Sequence, residues 1–365
     1  MLAAGNKGQG VTSTRIVSLD GLRGIAAIVV AVYHLPGLFG VAIPHADLAV
    51  DFFFLLSGWV MAYSYEDRIA RGLPAHAFFL NRLARLYPLY IVALALIFLV
   101  FLSKIWFGKG EGIAELRCVL PNALMLPCLF NDDGLGFPLN HPGWSIFVEV
   151  VLNVLWYYAV RQGLRSLGRK FALHLVSCIV LWGMAVYLGR YLYGFNNSDL
   201  LEGMLRGVLG FSGGLLLFQC RQDARILLYF AALTALALAA IGLHGGADSV
   251  APLALTVMGV LPMLIWLCAR WRPALLEGRV SAFLGDISYA VYLLHIPLSL
   301  LLQKPLRLAF PGTDLLSVLL KAGVFGFVLI IASSLSYRLL EVPARRWLVQ
   351  RYGRRPVVLG QVTPT

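Results

Sequence analysis

The chain's 365 residues would suffice for two or three soluble domains, yet 59% are hydrophobic and only 13% charged, about half the charge of a soluble protein. A mean hydropathy of +0.79 excludes disorder, and unbroken apolar stretches such as residues 90–102 argue against the alternating strands of a membrane barrel. The net charge of +12 lies in short basic clusters between apolar runs and not on one polar face, which points to membrane topology and away from nucleic acid.

In chain order, residues 1–15 form a polar tail with no cleavable leader, since the apolar run behind it is long enough to span. Runs near the roughly 20 residues that cross a bilayer then follow at 20–40, 46–65, 86–107, 143–160, 171–193, 203–219, 226–244, 250–269, 281–303 and 315–340. The expected fold is all-α, a polytopic membrane protein of about ten helices with both termini cytoplasmic. The sixth run is the weakest, being short, glycine-rich and interrupted by Arg206. With the N-terminus inside, 22 of the 30 Lys and Arg residues fall on the cytoplasmic side and seven on the other, as the positive-inside rule requires. Residues 16–343 therefore read as one membrane domain, and 344–365 as a basic cytoplasmic tail whose Arg345, Arg346, Arg351, Arg354 and Arg355 suit an anionic-lipid anchor.

The longest non-cytoplasmic segment, 108–142, holds a moderately apolar stretch from Leu116 to Phe130 that is too short to cross and reads as interfacial. Cys118 and Cys128 share this segment and can pair if it faces an oxidising compartment. The five cysteines otherwise show neither a disulfide framework nor metal-site spacing, so no metal is expected.

Ionisable groups within spans are costly and are functional candidates by default. Asp20 and Arg23 stand at the mouth of the first helix, with His34 eleven residues on, about 16 Å deeper and on the same face; alone, His34 could equally be a hydrogen-bonded core residue. Asp51 opens the second helix as either a catalytic carboxylate or an acid favoured by the helix dipole, a part Asp47 could also play. Arg82 and Arg85, three apart on one face, suit a phosphate ligand or ordinary membrane anchoring. Trp144, Ser145 and Glu149 in the fourth helix and Asp286, Ser288, Tyr289, Tyr292 and His295 in the ninth read as a polar cavity or an interhelical pair. His45, His76, His141, His174 and His244 fall in loops or interfaces and read as surface residues.

Six segments in order resemble the acyltransferase-3 family of integral membrane O-acyltransferases over nearly the whole chain. They are Leu19-Asp-Gly-Leu-Arg-Gly24 with His34, Asp51-Phe-Phe-Phe-Leu-Leu-Ser-Gly58, Arg82-Leu-Ala-Arg85-Leu-Tyr-Pro88, Trp144-Ser145 with Glu149, Ser288-Tyr289-x-x-Tyr292-x-x-His295, and Glu341-Val-Pro343. The resemblance implies that His34 is the essential histidine, Arg23 its partner, and Arg82 and Arg85 the arginines for an acyl-CoA donor. It further implies acylation of surface saccharides in a bacterial cytoplasmic membrane.

The expected function is transfer of an acyl group, taken as acetyl, from cytoplasmic acyl-CoA to a hydroxyl of an extracytoplasmic or lipid-linked saccharide, with no tightly bound cofactor. His34 would act as general base or acyl carrier, oriented by Glu149 or Asp51, with Trp144, Ser145, Tyr292 and His295 contacting substrate. The alternative is a transporter or flippase for a glycan or lipid-linked sugar, which predicts broken helices in paired halves; these are not found.

Overall fold

A computed structural model describes residues 15–352, apart from 40–42, 109–112, 132, 192–193 and 244–246. Among the described residues ten helices are long and apolar enough to span a membrane: α1 Val17–His34, α2 Leu48–Ala70, α3 Ala75–Trp106, α4 Gly143–Arg161, α5 Leu167–Leu188, α6 Asn197–Gln219, α7 Arg225–Leu243, α8 Val250–Trp271, α9 Arg279–Ala309 and α10 Leu315–Tyr352. No strand occurs among the described residues. His244 and residues 1–14 and 353–365 lie outside the described residues; what was read as a tail from 344 continues α10 to Tyr352.

Helix α1 packs parallel to α9, because Gly21 lies against Ser281, Gly24 against Leu284 and Gly285 against Asp20, while His34 reaches His295 with ring centroids 5.1 Å apart. Pro36 follows α1 closely and stops it at His34, beside the middle of the 31-residue α9. The weak sixth run proves to be a central helix: its glycines let α2 approach closely, and a methyl on Gly58 would strike the Phe211 carbonyl, one on Gly214 the Leu55 carbonyl. Glycine here trades helix propensity for backbone contact, the usual exchange between membrane helices.

Three cations are inside the bundle. Lys170, fully buried, reaches both carboxylate oxygens of Glu66 at 2.8 Å and the amide oxygen of Gln219. Arg206 pairs with Asp51 at 2.6 Å. Arg82 pairs with Glu149, because α3 starts at Ala75, eleven residues before the apolar run at 86, and carries Arg82 two turns inside. An apolar-window reading clips a helix where arginines begin, whereas a buried carboxylate on a neighbour lets it continue.

Segment 118–142 folds back on the far end of the bundle. Cys118 and Cys128 form a disulfide with a Cα separation of 5.4 Å, and Asn122 donates to the carbonyls of Leu126 and Gly136 while its own carbonyl accepts from Tyr90. Asn140 donates to the Leu293 carbonyl at 3.3 Å; that acceptor is free because Pro297, four residues on, has no N–H to offer it. Outward, Leu120, Leu124, Leu129 and Phe130 are exposed, as an interfacial segment requires.

The α2–α6 contact gives a direct test. Gly58→Ala should cost about 1–3 kcal/mol through overpacking and lower the thermal midpoint in detergent; an unchanged midpoint would rule out this close approach.

Candidate active site

The parallel α1–α9 pair fixes the first wall. Arg23 donates from Nε to Ser288 Oγ at 2.9 Å and from Nη2 to the Gly285 carbonyl at 2.6 Å, and pairs with Asp20 at 3.0 Å. Ser288 and Gly285 are three residues apart, so one turn of α9 receives the whole guanidinium fork.

Opposite stands Arg82 with Glu149, whose carboxylate also accepts from Ser57 at 3.2 Å. Between these walls lies a cavity. Arg23, Arg82 and Arg85 mark its basic end, Phe53, Phe54 and Met61 line its apolar flank, and Ser145 and Tyr292 close it. Ser145 Oγ spends its proton on the Pro142 carbonyl at 3.1 Å, so the 2.6 Å contact with Tyr292 is a donation from the phenol. Arg85 makes no hydrogen bond or ion pair with the described residues and lines both this cavity and a second chamber at the basic end.

One turn beyond Tyr292 along α9 are the two histidines. Nδ1 of His34 lies 2.9 Å from the Val30 carbonyl and Nδ1 of His295 lies 3.2 Å from the Val291 carbonyl. A carbonyl only accepts, so both Nδ1 atoms carry the proton and each Nε2 presents a lone pair. His295 is fully buried, and its Nε2 has no partner among the described residues. His141 stands nearby: burial, then the charge of His34, holds its imidazole below the usual value.

The expected residues thus divide. Arg23, Arg82, Arg85, Glu149, Ser145 and Tyr292 surround one cavity, and His34 and His295 meet with tilted rings one turn past Tyr292. Neither Glu149 nor Asp51 orients His34; the Val30 carbonyl does. Asp51, 2% exposed, is held by Arg206 and by the Tyr191 hydroxyl at 3.0 Å. Burial, then Asp51, pushes the Tyr191 phenol well above its usual value and keeps it a donor. Trp144 turns from the cavity into this second cluster, with the Arg206 guanidinium 5.7 Å from its ring and 4.9 Å from that of Tyr191.

From the sequence Arg206 is only an interruption of the sixth run and Ser57 only a member of a family segment, Tyr191 and Lys170 have no assigned part, and His174 reads as a surface residue. His174 is 2% exposed, facing Ser212 Oγ at 3.1 Å. Arg206 and Lys170 carried a usable signal, since a cation within an apolar run needs a buried acceptor. Ser57 carried only its place in a family segment, and Tyr191 carried none.

The acyltransferase domain model matches residues 16–338, most of the chain and every helix that lines the cavity. The chain belongs to the acyltransferase-3 family. As a member it is a multi-pass membrane acyltransferase, and the six family segments meet at the cavity, at the histidine pair above it or at its basic mouth. Among curated relatives, Protein 2 in picA locus of Rhizobium radiobacter is 37% identical over 46% of this chain and 93% of its own length. Acyltransferase MdmB of Streptomyces mycarofaciens is 29% identical over 40% of this chain and 41% of its own. Peptidoglycan O-acetyltransferase OatA of Listeria monocytogenes is 25% identical over 91% of this chain and 56% of its own. No solved structure matches the chain.

The Arg82–Glu149 pair lends itself to a double-mutant cycle. Arg82→Met and Glu149→Gln should each lower the thermal midpoint, and together cost less than their sum, with a coupling of about 1–3 kcal/mol; strict additivity would mean that the pair does not form.

Proposed function

We propose that this protein is a membrane O-acyltransferase that takes an acyl group, acetyl in the simplest case, from cytoplasmic acyl-CoA and transfers it to a hydroxyl of an extracytoplasmic or lipid-linked saccharide. The observation that carries the reading is a cavity lined by Arg23, Arg82 and Arg85, with the His34–His295 ring contact one helical turn past Tyr292 on its wall. Arginine forks suit the phosphates of the donor, and the apolar flank suits its acyl arm. The relative named as a peptidoglycan O-acetyltransferase supports a saccharide acceptor.

In this reading His34 Nε2 removes the proton of the acceptor hydroxyl, whose oxygen attacks the thioester carbonyl carbon. Tyr292, turning its hydroxyl from Ser145 to the carbonyl oxygen, stabilises the tetrahedral oxyanion. Its collapse breaks the C–S bond, leaving an ester on the acceptor and a thiolate that takes the proton from His34. Arg206, Asp51 and Tyr191 act at a distance, holding α6 against α2.

Two observations support an inner-membrane orientation with both termini inside: the 22-to-seven split of basic residues and the Cys118–Cys128 disulfide in the segment assigned outside, since disulfides persist in oxidising compartments.

The test is thiol release from acetyl-CoA by purified protein in nanodiscs with a panel of glycan acceptors. Wild type should release thiol only with an acceptor, and correctly inserted His34→Ala should be at least about 100-fold slower, the usual contribution of a general base. Wild-type turnover in His34→Ala would sink the assignment, and no thiol release or coenzyme A binding by wild type would favour a transporter.

A further inference from the structure

The chamber at the basic end has a wall that the acyl-transfer mechanism leaves unused. Pro343 cannot donate a backbone hydrogen bond and crowds the carbonyl four residues before it, and the preceding turn, Tyr337–Glu341, opens into a π-helix. Tyr337, Glu341 and Arg345, each four residues apart, then face the chamber together.

Four guanidinium groups line this space: Arg15, Arg23, Arg85 and Arg345. Arg15 is engaged by Asp20, by Asp286 at 2.9 Å and by the Ala282 carbonyl, and Arg23 by Asp20, Ser288 and Gly285. That uses both aspartates. Arg85 and Arg345 remain without a hydrogen bond or ion pair among the described residues. Glu341 feels the charges of Arg85 and Arg23 but makes no ion-pair contact with either, and its buried Oε1 has no partner. Two open guanidinium forks beside the partnerless Oε1 of Glu341 call for a ligand with phosphate oxygens and an N–H or O–H donor.

We propose that Arg345, together with Arg85, forms a phosphate-binding subsite at the mouth of the acyl-transfer cavity, and that Glu341 accepts a hydrogen bond from the same ligand. Resting on the acyl-CoA reading, this assigns the ligand as the nucleotide end of the donor; the same chemistry would also hold a phospholipid headgroup. Arg345 is thereby a specificity residue for the donor and not part of a general basic anchor.

The test uses full-length protein in phosphatidylcholine nanodiscs and two thioesters: acetyl-CoA, and acetyl-pantetheine, which carries no phosphate. Arg345→Gln should raise the apparent KM for acetyl-CoA about tenfold, the loss of one charge-assisted hydrogen bond, and leave that for acetyl-pantetheine unchanged. Arg346→Gln, which changes the same charge one residue away, should alter neither. Adenosine 3′,5′-bisphosphate should bind wild type and bind Arg345→Gln about tenfold more weakly. Equal KM increases for both thioesters, or an equal effect of Arg346→Gln, would overturn the proposal. An effect of Arg345→Gln seen only in nanodiscs containing phosphatidylethanolamine or phosphatidylglycerol would assign the phosphate to lipid and overturn the donor assignment. Wild-type turnover of acetyl-CoA with an unchanged KM in Arg345→Gln would sink this inference alone, whereas no coenzyme A binding by wild type would remove the donor reading as well.

Discussion

A guanidinium within a membrane bundle has no water to solvate it, so it must be met by a carboxylate or by carbonyls on a neighbouring helix. Three arginines impose this condition, and together they set the geometry of the bundle. Arg23 ties α1 to α9 through Ser288 and Gly285, Arg82 ties α3 to α4 through Glu149, and Arg206 ties α6 to α2 through Asp51. The first and third bonds join helices far apart in sequence, and the first two form opposite walls of one cavity.

The same constraint separates structural cations from those left for ligand. Arg206 is enclosed by Asp51 and two aromatic rings, and Arg23 by two acceptors and Asp20. Arg85 and Arg345 face space. A buried pair costs desolvation and contributes little net stability, but it places neighbouring side chains. Here it sets Ser145, one turn before Glu149, at the end of the cavity.

The proposed transfer across a membrane requires two approaches to one reacting carbon. The parallel packing of a short α1 on a long α9 provides for this, because α1 ends at His34 halfway along its partner. The basic mouth lies on one side of that point, and segment 118–142, tied to α9 by Asn140, lies on the other. Pro297 contributes by exposing the Leu293 carbonyl that Asn140 takes. His141, the next residue, is thereby carried close to His34.

Much of this protein was legible in its sequence. Ten spans follow from the length of apolar runs, since the bilayer sets a minimum length and demands internal hydrogen bonding. The polar residues that gather at the cavity were identifiable because burying them without purpose is costly: Arg23, His34, Arg82, Arg85, Glu149, Ser145, Tyr292 and His295 all stood out in apolar surroundings. What the linear pattern could not specify was partnership. Glu149 was expected to orient His34 and instead neutralises Arg82; Asp51 was given the same part and instead meets Arg206; Arg345 looked like a tail residue and lines the chamber. Apolarity is a local property, additive along the chain, whereas the partner of a charge depends on which helices pack together and at what depth. That is decided by close contacts such as Gly58 on Phe211 and Gly24 on Leu284, which join residues 153 and 260 positions apart and exist only in the folded bundle.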